Sequence, residues 1–448
     1  MPSFLAEVLQ HKQEEIAQRK LALPLSAFVD RVKPATGRFL EAIDGQGQSM
    51  KIIAEIKPRS PVLGNLSDNC QLEERIAIYA NNCQAISVLC DQKYFDGSIE
   101  LLRSVSATVE QPTLCKDFVI DPYQVYEARL AGAEAVLLIC KILTEQTLLE
   151  LSSLIEDLGM SAVVEVQNEA EMEMARRLAA RIILINSRNL DTLKIDLNTV
   201  KNLSLLAPAG SIVIAASGVE NEKDFMDLRP FCSRFLIGSA FMKSADPSLK
   251  FDEFFKAERF FQLQKLIGIS ADSSIPLVKI CGICKEDDAA EAVELGANFL
   301  GLIFAPSPRQ IDISAALRIR EKVALAKLIG VFKNQSIEEI IGICNSVLLD
   351  AIQLHGDEAP EFCRELASRT SLPIIKAIEI TDPTTASLTV ERQYLNSVQL
   401  FLFDRPKSPQ KTMDGESENW LEQVSATYKN ELSKFRPFLI AGGLCSTN

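Results

Sequence analysis

The chain has 448 residues, too many for one compact core, so at least two domains are expected. Its composition is that of a globular enzyme, 47% hydrophobic and 24% charged. A formal net charge of −13 argues against general nucleic-acid binding and against an anionic membrane surface, yet leaves room for a local basic pocket.

Met1 to Lys12 lacks a signal-peptide core, and no apolar run in the chain reaches membrane-spanning length, so a cytoplasmic enzyme is expected. Residues up to about 50 read as helical extensions, Phe4–Lys20 and Ser26–Val32, able to cap the mouth or the base of a barrel. Apolar strand-like runs then recur at Ile52–Ile56, Ala85–Leu89, Thr113–Cys115, Ala135–Ile139, Ala162–Val166, Ile182–Ile185, Ile212–Ala215 and Phe235–Ile237, each succeeded by a helical pattern. Eight such repeats predict a closed (β/α)8 barrel.

The polar stretch Ser270–Ser274 marks a linker, expected over 258–275, between a domain at 1–257 and another at 276–448. The rhythm restarts at Val278–Cys281, Asn298–Phe304, Leu328–Phe332, Ala351–Leu354, Ile374–Ile378, Val398–Phe403 and Phe438–Ala441. With the eighth strand still owed at Asn448, the fold expected is two consecutive TIM barrels, the second truncated after its seventh strand.

Charged residues sit where the strands end. Glu55 and Lys57 are two apart, so they face the same side of a strand that should be apolar. Burying two charges there is costly unless they line a site. Lys116, Phe118, Glu165, Asn186, Arg188, Ser217, Gly218, Gly238 and Ser239 fall at later strand exits and converge on one mouth. The glycines after the seventh and eighth strands suit a phosphate, which backbone N–H groups can hold. Paired lysines and glutamates in one pocket suit general acid–base work.

Eleven scattered cysteines, among them Cys115, Cys140 and Cys232 inside apolar runs, fit free thiols in a reducing compartment. With only His11 and His355, a His-ligated metal site or a Ser-His-Asp hydrolase is disfavoured. Cys281 and Cys284 form a lone CxxC, weak for zinc without a second pair. His355, at a strand end, reads as a structural or supporting imidazole rather than a catalyst.

Ile53-Ala-Glu-Ile-Lys57 with Ser60-Pro61, Leu114-Cys-Lys-Asp-Phe-Val-Ile-Asp-Pro-Tyr-Gln124, Val164-Glu-Val166, Ile185-Asn-Ser-Arg-Asn-Leu190 and Leu236-Ile-Gly-Ser-Ala240 resemble the indole-3-glycerol phosphate synthases. The resemblance implies ring closure of 1-(2-carboxyphenylamino)-1-deoxyribulose 5-phosphate with loss of CO2 and water, and no cofactor. It implies Lys116 as general acid, Glu165 as general base or cation stabiliser, and Lys57 on the substrate carboxylate. Glu55 and Asn186 would position these groups, with Ser60, Gly218, Gly238 and Ser239 on phosphate, Arg188 and Ser217 beside the substrate, and Phe118 against the anthranilate ring. The family's Glu-Ser-Gly at the end of strand seven is Ala216-Ser217-Gly218 here, and Asn-Asn-Arg of strand six is Asn186-Ser187-Arg188.

Val278-Lys-Ile-Cys-Gly282, Ser307-Pro-Arg309, Gln353-Leu-His-Gly356, Phe403-Asp404 and Ala441-Gly-Gly-Leu444 are similar to phosphoribosylanthranilate isomerase. That likeness implies an Amadori rearrangement with Cys281 as general base, Asp404 as general acid, Arg309 on the substrate carboxylate, and Gly442 and Gly443 in a phosphate cradle. The family's Gly-rich loop after the acid is replaced by Arg405–Gln410. The expected partners are small phosphorylated substrates, with neither nucleic acid, membrane nor metal, and the chain is expected as a monomer. The rival readings are a synthase with a defective isomerase half, another phosphate-binding barrel lyase such as a Schiff-base aldolase, and a catalytically silent scaffold.

Overall fold

A computed structural model describes residues 4–44, 50–60, 64–65, 71–267, 277–380, 394, 397–404 and 438–440. The chain divides into two compact units, Met1–Phe254 and Phe255–Asn448.

In the first unit, β1 (Lys51–Ile56) is followed by a short antiparallel pair, β2 (Arg59–Ser60) and β3 (Gly64–Asn65). Then come β4 (Ala85–Leu89), β5 (Thr113–Lys116), β6 (Ala135–Ile139), β7 (Ser161–Val166), β8 (Ile182–Asn186), β9 (Ile212–Ala216) and β10 (Arg234–Ile237). Apart from β2 and β3 these strands are parallel and close on themselves, β1 pairing with both β4 and β10. The eight-fold repeat read from the sequence is therefore a closed barrel. Its strands are continuous apolar runs because side chains on both faces are buried, as β4, β6 and β8 are throughout.

The lumen is packed by Ile53, Leu114, Leu137, Val163, Leu184, Ile214 and Leu236. Both ends of it are closed by residues that precede β1. The helix Phe4–Ala22 contributes Leu5 and Val8, and the helix Arg38–Ile43 contributes Phe39 and Ile43. Lys12 of the first helix reaches the exits of β4 and β5, which places that helix over the mouth. The Ile43 carbonyl accepts a 3.0 Å hydrogen bond from Arg234 Nε at the start of β10, which places the second at the base. The expected helix at Ser26–Val32 is instead two 3-10 turns, Leu25–Ala27 and Val29–Arg31.

The helix Pro247–Ile267 contains the boundary between the units. The linker expected over 258–275 therefore begins inside a helix. The reason is periodic burial: Phe251, Phe254, Ala257 and Glu258, then Leu263 and Leu266, are buried at helical spacing. Ser270–Ser274 lies outside the described residues.

The second unit is a parallel sheet of seven described strands in sequential order. They are β11 (Lys279–Cys281), β12 (Phe299–Ile303), β13 (Lys327–Phe332), β14 (Ala351–Leu354), β15 (Ile374–Glu379), β16 (Leu400–Asp404) and β17 (Phe438–Ile440). Alternate strand residues separate into two cores. Leu300, Leu328, Ile352 and Phe401 face the helices, while Phe299, Ile329, Ala351, Ile375 and Leu400 pack against Leu263 and Leu266. No helix of the described residues is long and apolar enough to cross a membrane.

Candidate active sites

At the mouth of the first barrel, Glu55 is the centre of a charge cluster. Its side chain is turned inward by strand parity and is 4% exposed. Lys57 Nζ lies 2.8 Å from Oε1 and Lys116 Nζ 3.6 Å from Oε2. Burial pushes the Glu55 carboxyl upward, but the two ammonium groups outweigh it and hold the pKa below the usual glutamate value. Lys57 Nζ also lies 3.3 Å from Ser239 Oγ, tying the exit of β1 to the exit of β10.

Across the mouth, Asn186 Nδ2 donates to Glu165 Oε1 at 2.9 Å. The backbone N–H of Arg188 donates to Asn186 Oδ1 at 3.0 Å, which orients that amide. Arg188 has its guanidinium lowered by burial, against the opposing fields of Glu55 and Glu220, and donates from Nη1 to Leu193 O at 3.0 Å. Phe118 is buried, its ring centroid 6.4 Å from that of Phe95.

The glycine signals have steric causes. A Cβ at Gly238 would lie 2.2 Å from Glu55 Oε1, so no side chain fits beside that carboxylate. Gly218 has φ +89°, and a Cβ there would strike Ile195 and Leu197 at 2.7 Å. Ser217 is also left-handed at φ +64°, a conformation that costs a non-glycine residue roughly 1 kcal/mol or more. Ser60 ends β2, with its backbone paired to Gly64. Ala216 is 1% exposed and packs in the lumen with Phe118 and Leu184.

In the second unit, Cys281 ends β11 and Asp404 ends β16. Arg309 Nη1 donates to the Cys281 carbonyl at 2.9 Å, and Gly282, at φ +88°, leaves the space its guanidinium needs. Lys279 Nζ and Cys281 Sγ both press on Gly301, where a Cβ would lie 2.8 and 2.7 Å from them. Gln353 Nε2 donates to His355 Nδ1 at 2.9 Å. With Nδ1 facing that amide, His355 Nε2 is directed at Asp404 Oδ2, 3.1 Å away. Lys376 Nζ pairs with Glu358 Oε2 at 2.9 Å, both buried. Gly442 and Gly443 lie outside the described residues.

Residues 5–254 match the profile of the family described as indole-3-glycerol phosphate synthase, and residues 278–448 that of N-(5'-phosphoribosyl)anthranilate isomerase. The tryptophan biosynthesis protein TrpCF of Vibrio cholerae is 34% identical across 100% of this chain and 88% of its own length. The chain belongs to the bifunctional synthase–isomerase family of tryptophan biosynthesis. The Salmonella typhi TrpCF is 33% identical over 100% of this chain and 91% of its own length. Among solved structures, a phosphoribosyl anthranilate isomerase from Thermus thermophilus is 33% identical, covering 39% of this chain and 80% of that one, at a TM-score of 0.31.

This synthase–isomerase acts in tryptophan biosynthesis. It converts N-(5-phosphoribosyl)anthranilate to 1-(2-carboxyphenylamino)-1-deoxyribulose 5-phosphate and closes that product to indole-3-glycerol phosphate with loss of CO2 and water. The defective-isomerase, aldolase and scaffold readings are not favoured by matches to both halves.

The first site gathers Glu55, Lys57, Lys116 and Ser239, and separately Glu165, Asn186 and the Arg188 backbone. Sequence reasoning missed Gln167, whose Nε2 lies 3.5 Å from Glu165 Oε1 and donates to Arg188 O at 3.1 Å. The parity that singles out Glu55 and Lys57 also puts Gln167 on the face of Glu165. It missed Arg75 too, which is 1% exposed and donates to Phe241 O at the end of the short helix Ser239–Lys243. Nothing in the local sequence distinguishes Arg75 from a solvated helix charge.

Proposed function

We propose that Lys116 is the general acid of the synthase half and Glu165 its general base or cation stabiliser. Lys57 binds the substrate carboxylate, while Glu55 and Asn186 hold the reacting groups in place. Ser60, Gly218, Gly238 and Ser239 bind the phosphate, Arg188 and Ser217 lie beside the substrate, and Phe118 walls the anthranilate ring. The substrate amine supplies the electron push, so its ring carbon attacks the ribulose carbonyl. Lys116 protonates the carbonyl oxygen as the carbon–carbon bond forms, and CO2 leaves the attacking ring carbon, its bonding electrons restoring the aromatic ring. A second proton, regained by Lys116 from solvent, lets the new hydroxyl leave as water, and Glu165 takes a proton from the carbon between the hydroxyl-bearing carbon and the nitrogen, which forms the new ring's double bond. The observation that supports these roles best is the contact of Glu55 with both lysines at 2.8 and 3.6 Å. It keeps two ammonium groups together in a pocket with little water.

In the isomerase half, Cys281 removes the substrate proton and Asp404 protonates the opening furanose oxygen, with Arg309 on the carboxylate and Gly442 and Gly443 on the phosphate. The reading places the synthase at 1–257 and the isomerase at 276–448 of a cytoplasmic monomer, with the intermediate crossing through solvent. Steady-state assays of each half test the assignments. Lys116→Met and Glu165→Gln are expected to abolish indoleglycerol phosphate formation while leaving isomerisation intact, and Cys281→Ala to do the converse. Retained synthase turnover in Lys116→Met would refute the acid assignment. Borohydride trapping with substrate is expected to leave Lys116 unlabelled, and labelling would point to Schiff-base chemistry.

A further inference from the structure

Lys12, in the middle of the helix Phe4–Ala22, is fully buried. Its Nζ lies 2.8 Å from Glu15, 3.0 Å from Asp117 and 3.7 Å from Asp91. Asp91 and Asp117 are themselves buried, and each shapes a strand exit. Asp91 caps the short helix Gln92–Phe95 after β4, accepting from the Tyr94 N–H. Asp117 follows Lys116 directly, and its Oδ1 accepts from the Phe118 N–H at 2.8 Å. The two exits are joined by a 2.9 Å hydrogen bond from Cys90 N to Lys116 O. Gln124 completes the frame, donating to Phe118 O at 3.0 Å and accepting from Ile120 N at 2.8 Å.

A buried ion pair contributes little net stability, because desolvating its charges offsets most of their attraction. Apolar side chains in place of the whole ion set would hold the helix on the barrel as well, whereas removing the cation alone leaves buried carboxylates unpaired. What a single cation adds is a fixed geometry between the helix and the two strand exits it reaches.

We propose that Lys12 is a positioning residue of the synthase reaction: it clamps the exits of β4 and β5 and thereby sets the direction from which the Lys116 ammonium enters the pocket. The inference rests on the reading of Lys116 as the general acid. Lys12 does not touch the Glu55 cluster; it acts through Asp117, one residue from Lys116 on the opposite face of the chain. Loss of the clamp therefore weakens proton delivery more than substrate binding.

The test is a double-mutant cycle on the full chain, read as kcat and KM of indoleglycerol phosphate formation, below the melting temperature of each variant. Lys12→Met and Asp117→Asn are each expected to lower kcat at least tenfold with KM changed less than about twofold, the signature of an interaction that matters in the transition state. The double variant is expected to fall no further than the worse single one. Lys12→Arg is expected to recover most of kcat, since it returns the charge. Multiplying losses in the double variant, a wild-type kcat in Lys12→Met, or a loss carried by KM would overturn the proposal. If Lys12→Met does not fold, the double variant, freed of one uncompensated charge, is compared with Asp117→Asn; a lower kcat in the double variant also overturns it. Lys116→Met serves as the control. If it retains turnover, the acid assignment and this proposal both fail; if it is inactive and the cycle is additive, only this proposal fails.

Discussion

Gly238 backs directly onto Glu55, so that an added Cβ would lie 2.2 Å from Oε1 and 2.9 Å from the carboxyl carbon. Gly238→Ala must therefore push the carboxylate away from Lys57 and Lys116. Overpacking of this kind costs about 1–3 kcal/mol. Synthase kcat/KM is expected to fall about 100-fold while isomerase turnover is unchanged, which two steady-state assays would check.

The lowered pKa of Glu55 predicts a pH dependence of stability. A carboxyl depressed by folding contributes stability that is present above its unfolded value and is lost as pH falls through the folded value. The melting-temperature advantage of wild type over Glu55→Gln is expected to be flat above about pH 5 and to shrink below that. An advantage that grows on acidification would show that the two lysines do not hold the group ionised.

Arg75 ties the helix Leu72–Asn82 to the short helix Ser239–Lys243, whose first residue contacts Lys57. Arg75→Met removes a hydrogen bond from a charged donor to the Phe241 carbonyl, which keeps the Ser244 N–H, a loss of about 1.5–3 kcal/mol. Synthase KM is expected to rise about tenfold, with a smaller change in kcat. Titration with inorganic phosphate should show the same weakening.

The motif resemblance implies a carboxylate at position 216, where this chain has Ala216, buried in the same lumen cluster as Phe118 and Leu184. Ala216→Glu is expected to raise synthase kcat several-fold and to lower the melting temperature, because a charge enters an apolar layer. An unchanged kcat would mean that Glu55 and Glu165 already supply what the reaction needs.

In the second unit, His355 lies between Gln353 and Asp404. His355→Phe removes the contact with Asp404 and is expected to lower isomerase kcat about tenfold or more, since acid–base steps lose that much when a partner is misaligned. The thermal unfolding transition of the same variant, compared with wild type, reports whether the fold is intact.

Much of this molecule was legible in the sequence. Strand positions in the first half came from apolar runs buried on both faces, and Glu55 stood out because a charge breaks such a run. Its contact with Lys57 came from parity, but Lys116 as its second partner needed the barrel to set β4 between β1 and β5, so that side chains from β1 and β5 meet across it. Lys12 was invisible: in a helix of mixed polarity it reads as one more solvated charge, and only tertiary packing buries it. The linker was misplaced because Glu258 and Arg259 look like surface residues. Both are buried, and Arg259 donates to the Ala367 carbonyl at 2.9 Å.

The two helices that seal the first barrel precede every strand they seal. Their docking surface exists only when β1 has paired with β10, across some 180 residues of chain. During synthesis, the residues made first must wait for the strand made last. Leu5, Val8 and Phe39 share a core with Leu236 of β10, so that core is complete only once Arg234–Ile237 has emerged. The extension leads in sequence yet completes its core with the last strand, and a chain arrested before β10 would lack Leu236 from the lumen that Leu5, Val8, Phe39 and Ile43 close.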